Sequence, residues 1–153
     1  MVFVAVLTIA VIGTSGYRYF ATMDIRRSDN EITAGRIAMH LCESWKGQGG
    51  GSSAYNPIND SNVSGVGLIT AASSTLAPEE PLAFTLLKDG GYYKVVSNDR
   101  TYYATMSYYT VDSNNGDLQT LNIIVNWPSN ESLPDTAISS KKTLCLSDLL
   151  IIH

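Results

Sequence analysis

Two histidines and two cysteines, His40, Cys42, Cys145 and His153, are the residues of this chain whose types suggest a metal centre. Zinc takes such nitrogen and sulfur ligands at tetrahedral corners. The spacing works against it. Helix positions i and i+2 point about 200° apart, so His40 and Cys42 cannot hold one ion from a regular helix. The same geometry removes a Cys–His nucleophile pair, which needs hydrogen-bond contact. Asp112, Asn114 and Asp117 around Gly116 carry the residue types of a calcium loop. The full spacing is absent and no Glu closes it, so the segment reads as a hairpin turn. Most of the nine tyrosines fall in strand-like segments, as ordinary sheet aromatics do. Alternation turns Tyr103 and Tyr109 outward, where they would mark an interface or a ligand surface. Asn62 and Asn130 sit in Asn-x-Ser sequons, which matter where the host glycosylates them. No catalytic residue, metal or cofactor is expected, and the chain reads as non-enzymatic.

The elements that position these residues are unusual in composition. The chain has 153 residues, 44% hydrophobic and only 16% charged, where about a quarter charged is typical of soluble domains. Mean hydropathy is +0.02. The length suits one domain with its own core. Disorder is excluded by the hydrophobic content. A net charge of −4 offers no basic field for nucleic acid, which is not expected as a partner. Two cysteines cannot build a disulfide scaffold.

The hydrophobes are concentrated at the front. Met1, Val2, Phe3, Val4, Ala5, Val6, Leu7, Ile9, Val11 and Ile12, with Ala10, form a run that only Thr8 interrupts before Gly13, and the first charge is Arg18. The uncharged stretch 1–17 lies at the lower edge of what crosses a bilayer as a helix, for which about 20 residues are needed. Tyr17, Arg18, Tyr19 and Phe20 come next as an aromatic and basic girdle, the composition of a membrane–water interface. Three readings compete for the run: a signal-peptide core without its basic n-region, a buried helix, and a membrane segment.

The residues after the girdle favour the membrane segment. No proline occurs before Pro57. Ala34, Ala38, Leu41, Cys42 and Trp45 stand at i, i+4, i+7, i+8 and i+11, and Ile37 widens that stripe into a face for burial against a sheet. Glycines 47 and 49–51 end the pattern. One continuous helix of about 45 residues is predicted, roughly 65–70 Å long. Its first part, 1–20, is apolar all round, and 21–46 is amphipathic.

Residues 47–81 hold few charges and read as an irregular connection, with a short strand at 66–70. Residues 82–153 read as an antiparallel sheet. Strands at 82–87 and 92–97 flank Lys88-Asp89-Gly90-Gly91, a hairpin signal. A strand at 101–111 is followed by Asn115-Gly116, a second hairpin signal. Residues 118–127 alternate, with Leu121, Ile123, Val125 and Trp127 on one face and Thr120, Asn122, Ile124 and Asn126 on the other. A last strand spans 143–152, with Leu144 and Leu146 inward. The predicted class is α+β: one long N-terminal helix packed on an antiparallel sheet of about four strands, with the apolar half of the helix projecting.

This layout resembles the type IV pilin and type II secretion pseudopilin family. The segment MVFVAVLTIAVIGTSGYRYFATMDIRRSD (1–29) is similar to the family's N-terminal helix starting a few residues after its processing site. The basic leader, Gly, aromatic and Glu that usually precede it are expected upstream of Met1. LNIIVNWP (121–128) is similar to a family strand ending in Val-x-Trp. The resemblance covers the helix well and the sheet by pattern alone. It implies a structural subunit anchored in the inner membrane by its N-terminal helix, with a periplasmic or extracellular C-terminal domain, which joins other pilin or pseudopilin subunits in a filament. Its partners would be those subunits and inner-membrane lipid. The alternative is a secreted binding module or small enzyme whose signal peptide is residues 1–16. The arginines after the apolar run pull the C-terminal side toward the cytoplasm, so pilin topology needs compensating basic residues in the leader. Arg18, Arg26 and Arg27 with Asp24, Asp29 and Glu31 form either intersubunit ion pairs or a solvated helix face. An oxidising periplasm would permit a Cys42–Cys145 disulfide, although Cys145 should alternate away from Leu144 and Leu146.

Overall fold

The structure, a computed structural model, describes residues 2–48, 55–87, 90–111, 117–128 and 141–152. Helix α1 (Val2–Gly47) has 46 residues. It ends where the glycines begin, with the amide of Gln48 donating to the carbonyls of Ser44 and Trp45 and Lys46 in the last turn, where a cation suits the helix dipole. The chain divides into two compact units, Met1–Thr33 and Ala34–His153. The first is helix.

The second unit joins the end of α1 to one antiparallel sheet. Its strands are β1 (Leu68–Ala71), β2 (Thr85–Leu86), β3 (Tyr92–Ser97), β4 (Arg100–Val111), β5 (Asp117–Pro128) and β6 (Lys141–Ile152), in spatial order β1-β3-β4-β5-β6 with β2 also on β4. The fold is α+β, with six strands where four were expected. Val111 pairs with Leu118 across β4 and β5. The Asn115-Gly116 signal between them lies outside the described residues, as do most of the calcium-like loop and Asn130.

The short strand expected at 66–70 in the connection 47–81 is β1, which pairs with β3. Two differences from the sequence-based expectation have local causes. The predicted hairpin of 82–87 with 92–97 does not form. Thr85 and Leu86 pair with Tyr108 and Ser107 of β4, and β3 pairs with residues 100–105 on the same edge of β4. The amide of Leu87 donates to the Met106 carbonyl, and the amide of Met106 to the Gly91 carbonyl. So β2 and β3 form one interrupted line along β4, both antiparallel to it, and are not the two arms of a hairpin; Lys88 and Asp89 lie outside the described residues. Leu82 and Ala83 belong to a turn closed by the Phe84 amide on the Pro81 carbonyl. The actual reversal is Asn98-Asp99, two residues with φ of 51° and 59° between the paired Ser97 and Arg100. Both angles suit a type I′ hairpin, which Asn and Asp tolerate.

The core lies between α1 and one sheet face. Ala34, Ile37, Ala38, Leu41, Cys42 and Trp45 are all buried. They cluster with Ile69, Tyr93, Val95, Tyr102, Ala104, Met106, Leu121, Ile123, Val125 and Trp127, and Leu144 and Leu146 pack at the border. The Tyr102 and Trp127 rings sit 6.4 Å apart. The other face is covered too. Thr105 donates its hydroxyl to the Pro78 carbonyl, and Phe84 packs on Tyr109 at 5.9 Å. Tyr92 donates to Glu80 at 2.9 Å. Tyr103, predicted to face outward, is 2% exposed, whereas Tyr109 is 43% exposed.

Two glycines make this topology sterically possible. Gly67 has φ +138°, and a Cβ there would stand 2.1 Å from the Val96 carbonyl oxygen. Gly91, at φ +63°, would meet the Met106 carbonyl oxygen at 2.7 Å. Both obstacles are backbone. Gly67→Ala is expected to destabilise the protein by more than about 2 kcal/mol, and Gly65→Ala, in open space, by less than about 0.5 kcal/mol. Urea unfolding of the two variants against the parent checks this.

Candidate functional site

The surface of the first unit is its most distinctive chemical feature. Phe3, Val4, Val6, Leu7, Ile9, Val11 and Ile12 are each between 55% and 77% exposed. They point to every side of the helix, because consecutive side chains step by about 100°. No stripe is left for water. Hydroxyls within this stretch are turned back on the helix. Thr8 donates to the Val4 carbonyl at 2.8 Å, and Thr14 to the Ala10 carbonyl at 3.0 Å. These bonds satisfy each hydroxyl without a solvent partner, the arrangement that hydrocarbon requires. A single helix among the described residues is long and apolar enough to cross a membrane.

The girdle comes next along the helix. Tyr17, Tyr19 and Phe20 are exposed, and the Tyr19 and Phe20 rings meet edge to face at 5.8 Å. Arg18 is exposed beside them, and its carbonyl accepts from the Thr22 hydroxyl at 2.8 Å. From Asp24 to Glu31 the exposed surface is mixed, with Ile25 62% exposed among the charged residues.

Among the described residues of the second unit a single charge is buried, and it is organised. Asp60, the sole charged residue of 47–77, is 8% exposed. Its carboxylate accepts from the Ser44 hydroxyl and from the Gln48 side-chain amide at 3.2 Å. Charge-assisted bonds of this kind offset the cost of burial. They fasten the turn Pro57–Asn59, itself capped by the Asn56 side chain, to the end of α1. Tyr55 is buried beside them. Burial pushes its phenol up to about 12, with the Asp60 charge adding to the rise and Ser44 opposing it. Glu80, which accepts from Tyr92, raises that phenol as well. A cavity of about 280 Å³ beside Asp60 is lined by Pro57, Ile58, Asn59, Val63, Gly67, Leu68 and Ile69. It falls short of the usual 300–1,000 Å³ of small-molecule sites.

The structure does not bring the chemistry-bearing residues together. Cys42 is buried under the sheet and His40 is partly exposed on α1, while Cys145 is exposed on β6. His153 lies outside the described residues. No group of three metal-ligating side chains occurs among the described residues. Cys42 and Cys145 are not bridged in the structure. Cys145 alternates with the core-bordering Leu144 and Leu146, which turns its sulfur to the opposite face, 3.4 Å from the Asn122 side-chain amide. Sequence reasoning also missed a polar row on that face. Asn122 donates to Ser147 at 2.9 Å, and Ser107, Asn122 and Asn126 are nonetheless buried. Their signal is present in the alternation, which sets them on the face opposite the core.

Fold and surface together define an α+β chain with a membrane-type N-terminal helix. Comparison with protein-family models, with curated proteins and with solved structures finds no match.

The second unit supplies two measurable outcomes. In native protein one equivalent of a thiol alkylator should add at Cys145, and a second at Cys42 only in denaturant, read as successive mass shifts without reductant. The raised Tyr55 value means that the folded state holds its proton longer than the unfolded chain. Stability from this group is complete below pH 10 and is lost as pH rises toward 12, by about 2–3 kcal/mol in total. Tyr55→Phe should flatten that part of the alkaline unfolding curve.

Proposed function

We propose that this chain is a non-catalytic structural subunit of the pilin type, held in the inner membrane by its N-terminal helix and built from there into an extracytoplasmic filament or secretion pseudopilus. The observation that carries the reading is the exposure of apolar side chains on all sides of residues 3–12. In lipid each backbone polar group of such a segment must be satisfied within it, as a helix does. In a filament the same surface would bury against neighbouring subunits. At about 25 cal/mol per Å² the burial is worth tens of kcal/mol gross in either setting. Transfer from lipid to filament is close to balanced for the apolar surface. Assembly then needs a further bias, which the resemblance assigns to pairing at the mature N-terminus and to a cytoplasmic motor.

The girdle fits this scheme. Tyr17, Tyr19 and Phe20 would sit at headgroup level and Arg18 would reach the phosphates. The charges from Asp24 to Glu31 would then lie in water, available to neighbouring subunits. Partners under this reading are inner-membrane lipid and further pilin-like subunits.

Fractionation of cells making the full chain tests it. The protein is expected in carbonate-washed membranes and in the filament fraction sheared from the cell surface. Ile9→Lys should deplete the membrane fraction, since a lysine at mid-helix costs about 2.5–3.5 kcal/mol of insertion. Soluble protein whose N-terminus lies near residue 17 would overturn the reading in favour of a cleaved signal peptide. Membrane protein that never reaches the sheared fraction would overturn the filament role.

A further inference from the structure

Strand β6 ends the sheet. Its inner edge pairs with β5 over all 12 of its residues, and no described strand lies beyond it. The opposite edge, β1, is only 4 residues long. A long open edge is a template for another strand, and natural sheets shorten, charge or cover such edges. The sequence of β6 says what fits this one. Residues 142–148 read Lys-Thr-Leu-Cys-Leu-Ser-Asp, a pattern that mirrors itself about Cys145.

We propose that β6 of one copy pairs antiparallel with β6 of a second copy, about a two-fold axis at Cys145, joining the two sheets into one. In that register Leu144 stands opposite the second copy's Leu146, Thr143 opposite its Ser147, and Lys142 opposite its Asp148. The charged positions are complementary, and each occurs twice by symmetry. Leu144 and Leu146 already border the hydrophobic core, so the pairing carries an apolar row across the junction. Thr143, Cys145 and Ser147 share the other face and are exposed. Neighbouring two-fold registers lose the match. Centring on Leu144 sets Lys142 opposite Leu146. Centring on Leu146 sets Asp148 opposite Leu144 and Lys142 opposite Leu150. An isologous contact of this kind closes on itself as a dimer instead of propagating. It depends on β6 alone and stands apart from the membrane role of the first unit.

Cys145 reports the register directly. Opposed residues of antiparallel strands have Cα atoms about 4.5 or 5.5 Å apart, both within the range a disulfide spans. The full chain in detergent, as the Cys42→Ser variant, is treated with diamide. Two Cys145 thiols lose two protons and two electrons, an S–S bond forms, and diamide is reduced to the hydrazine. A covalent dimer is expected. A cysteine at position 143, made by Thr143→Cys with Cys145→Ser, faces Ser147 instead of itself and lies about 13 Å along the strand from its counterpart. It should dimerise at least about tenfold more slowly. Mixing it with Ser147→Cys, also carrying Cys145→Ser, should restore the cross-link. Lys142→Asp should slow the Cys145 cross-link roughly threefold or more, and adding Asp148→Lys should recover it. Equal rates from positions 143 and 145 would show random collision and overturn the proposal. Absence of any Cys145 dimer, or a charge pair that fails to rescue, would do the same.

Discussion

Water cannot serve the outside of residues 3–12, and that constraint governs how the molecule exists. A helix satisfies its own backbone, so the cost lies entirely in the side chains. Those of Phe3, Ile9 and Ile12 are more than two-thirds exposed, and no polar stripe relieves them. Thr8 and Thr14 conform to the same condition by donating to carbonyls one turn back. Such a surface is stable only in hydrocarbon or against other apolar surface. Insertion and self-association would both draw on this one feature.

That unit solves a different problem. A sheet with one apolar face needs one cover, and α1 supplies it through residues four and seven apart from Ala34 to Trp45. Here the sheet has a second cover, the segment from Ala72 to Phe84, and β4 is buried from Tyr102 to Ser107. Burial on both sides would suit an apolar strand. The second face is instead polar, with Thr105, Ser107, Asn122 and Asn126 inside it. Of these, Thr105 bonds the covering segment through the Pro78 carbonyl, and Asn122 bonds sideways to Cys145 and Ser147 of β6. Asp60 does comparable work at the helix end, since Ser44 and Gln48 bind it from consecutive turns of the chain. Removing either donor would leave a buried charge short of partners, which costs more than the bond itself contributes.

Much of this was legible in the sequence because periodicity is local. The stripe from Ala34 to Trp45 comes from helical spacing, and the alternation of Leu121, Ile123, Val125 and Trp127 comes from the pleat. The apolar run needed only composition. Pairing was less legible. Lys88-Asp89-Gly90-Gly91 has hairpin chemistry, yet the segments on either side of it pair with β4 and not with each other. Asn98-Asp99 lacks the glycine that usually marks a type I′ turn and still makes one. Tyr103 is expected outward because a strand's alternation does not reveal whether its second face is covered. The mirrored pattern in β6 was readable throughout, yet it acquires meaning only once the strand order puts β6 at the edge.

The low charge content of the chain can now be divided by cause. Residues 1–17 contribute none, as a membrane-type segment must. The connection through 47–77 has only Asp60, and that one is buried. The third contribution comes from the sheet. Strands covered on both faces have few positions where a charge would meet water, so β4 and β5 carry only Arg100 and Asp117, each at its strand's first position. The remaining sheet charges are Lys94 in β3 and Lys141, Lys142 and Asp148 on the edge strand β6, while many other charges lie along α1 from Arg18 onward. At a net charge of −4 long-range repulsion between copies is small, so any contact between copies would be decided by local complementarity.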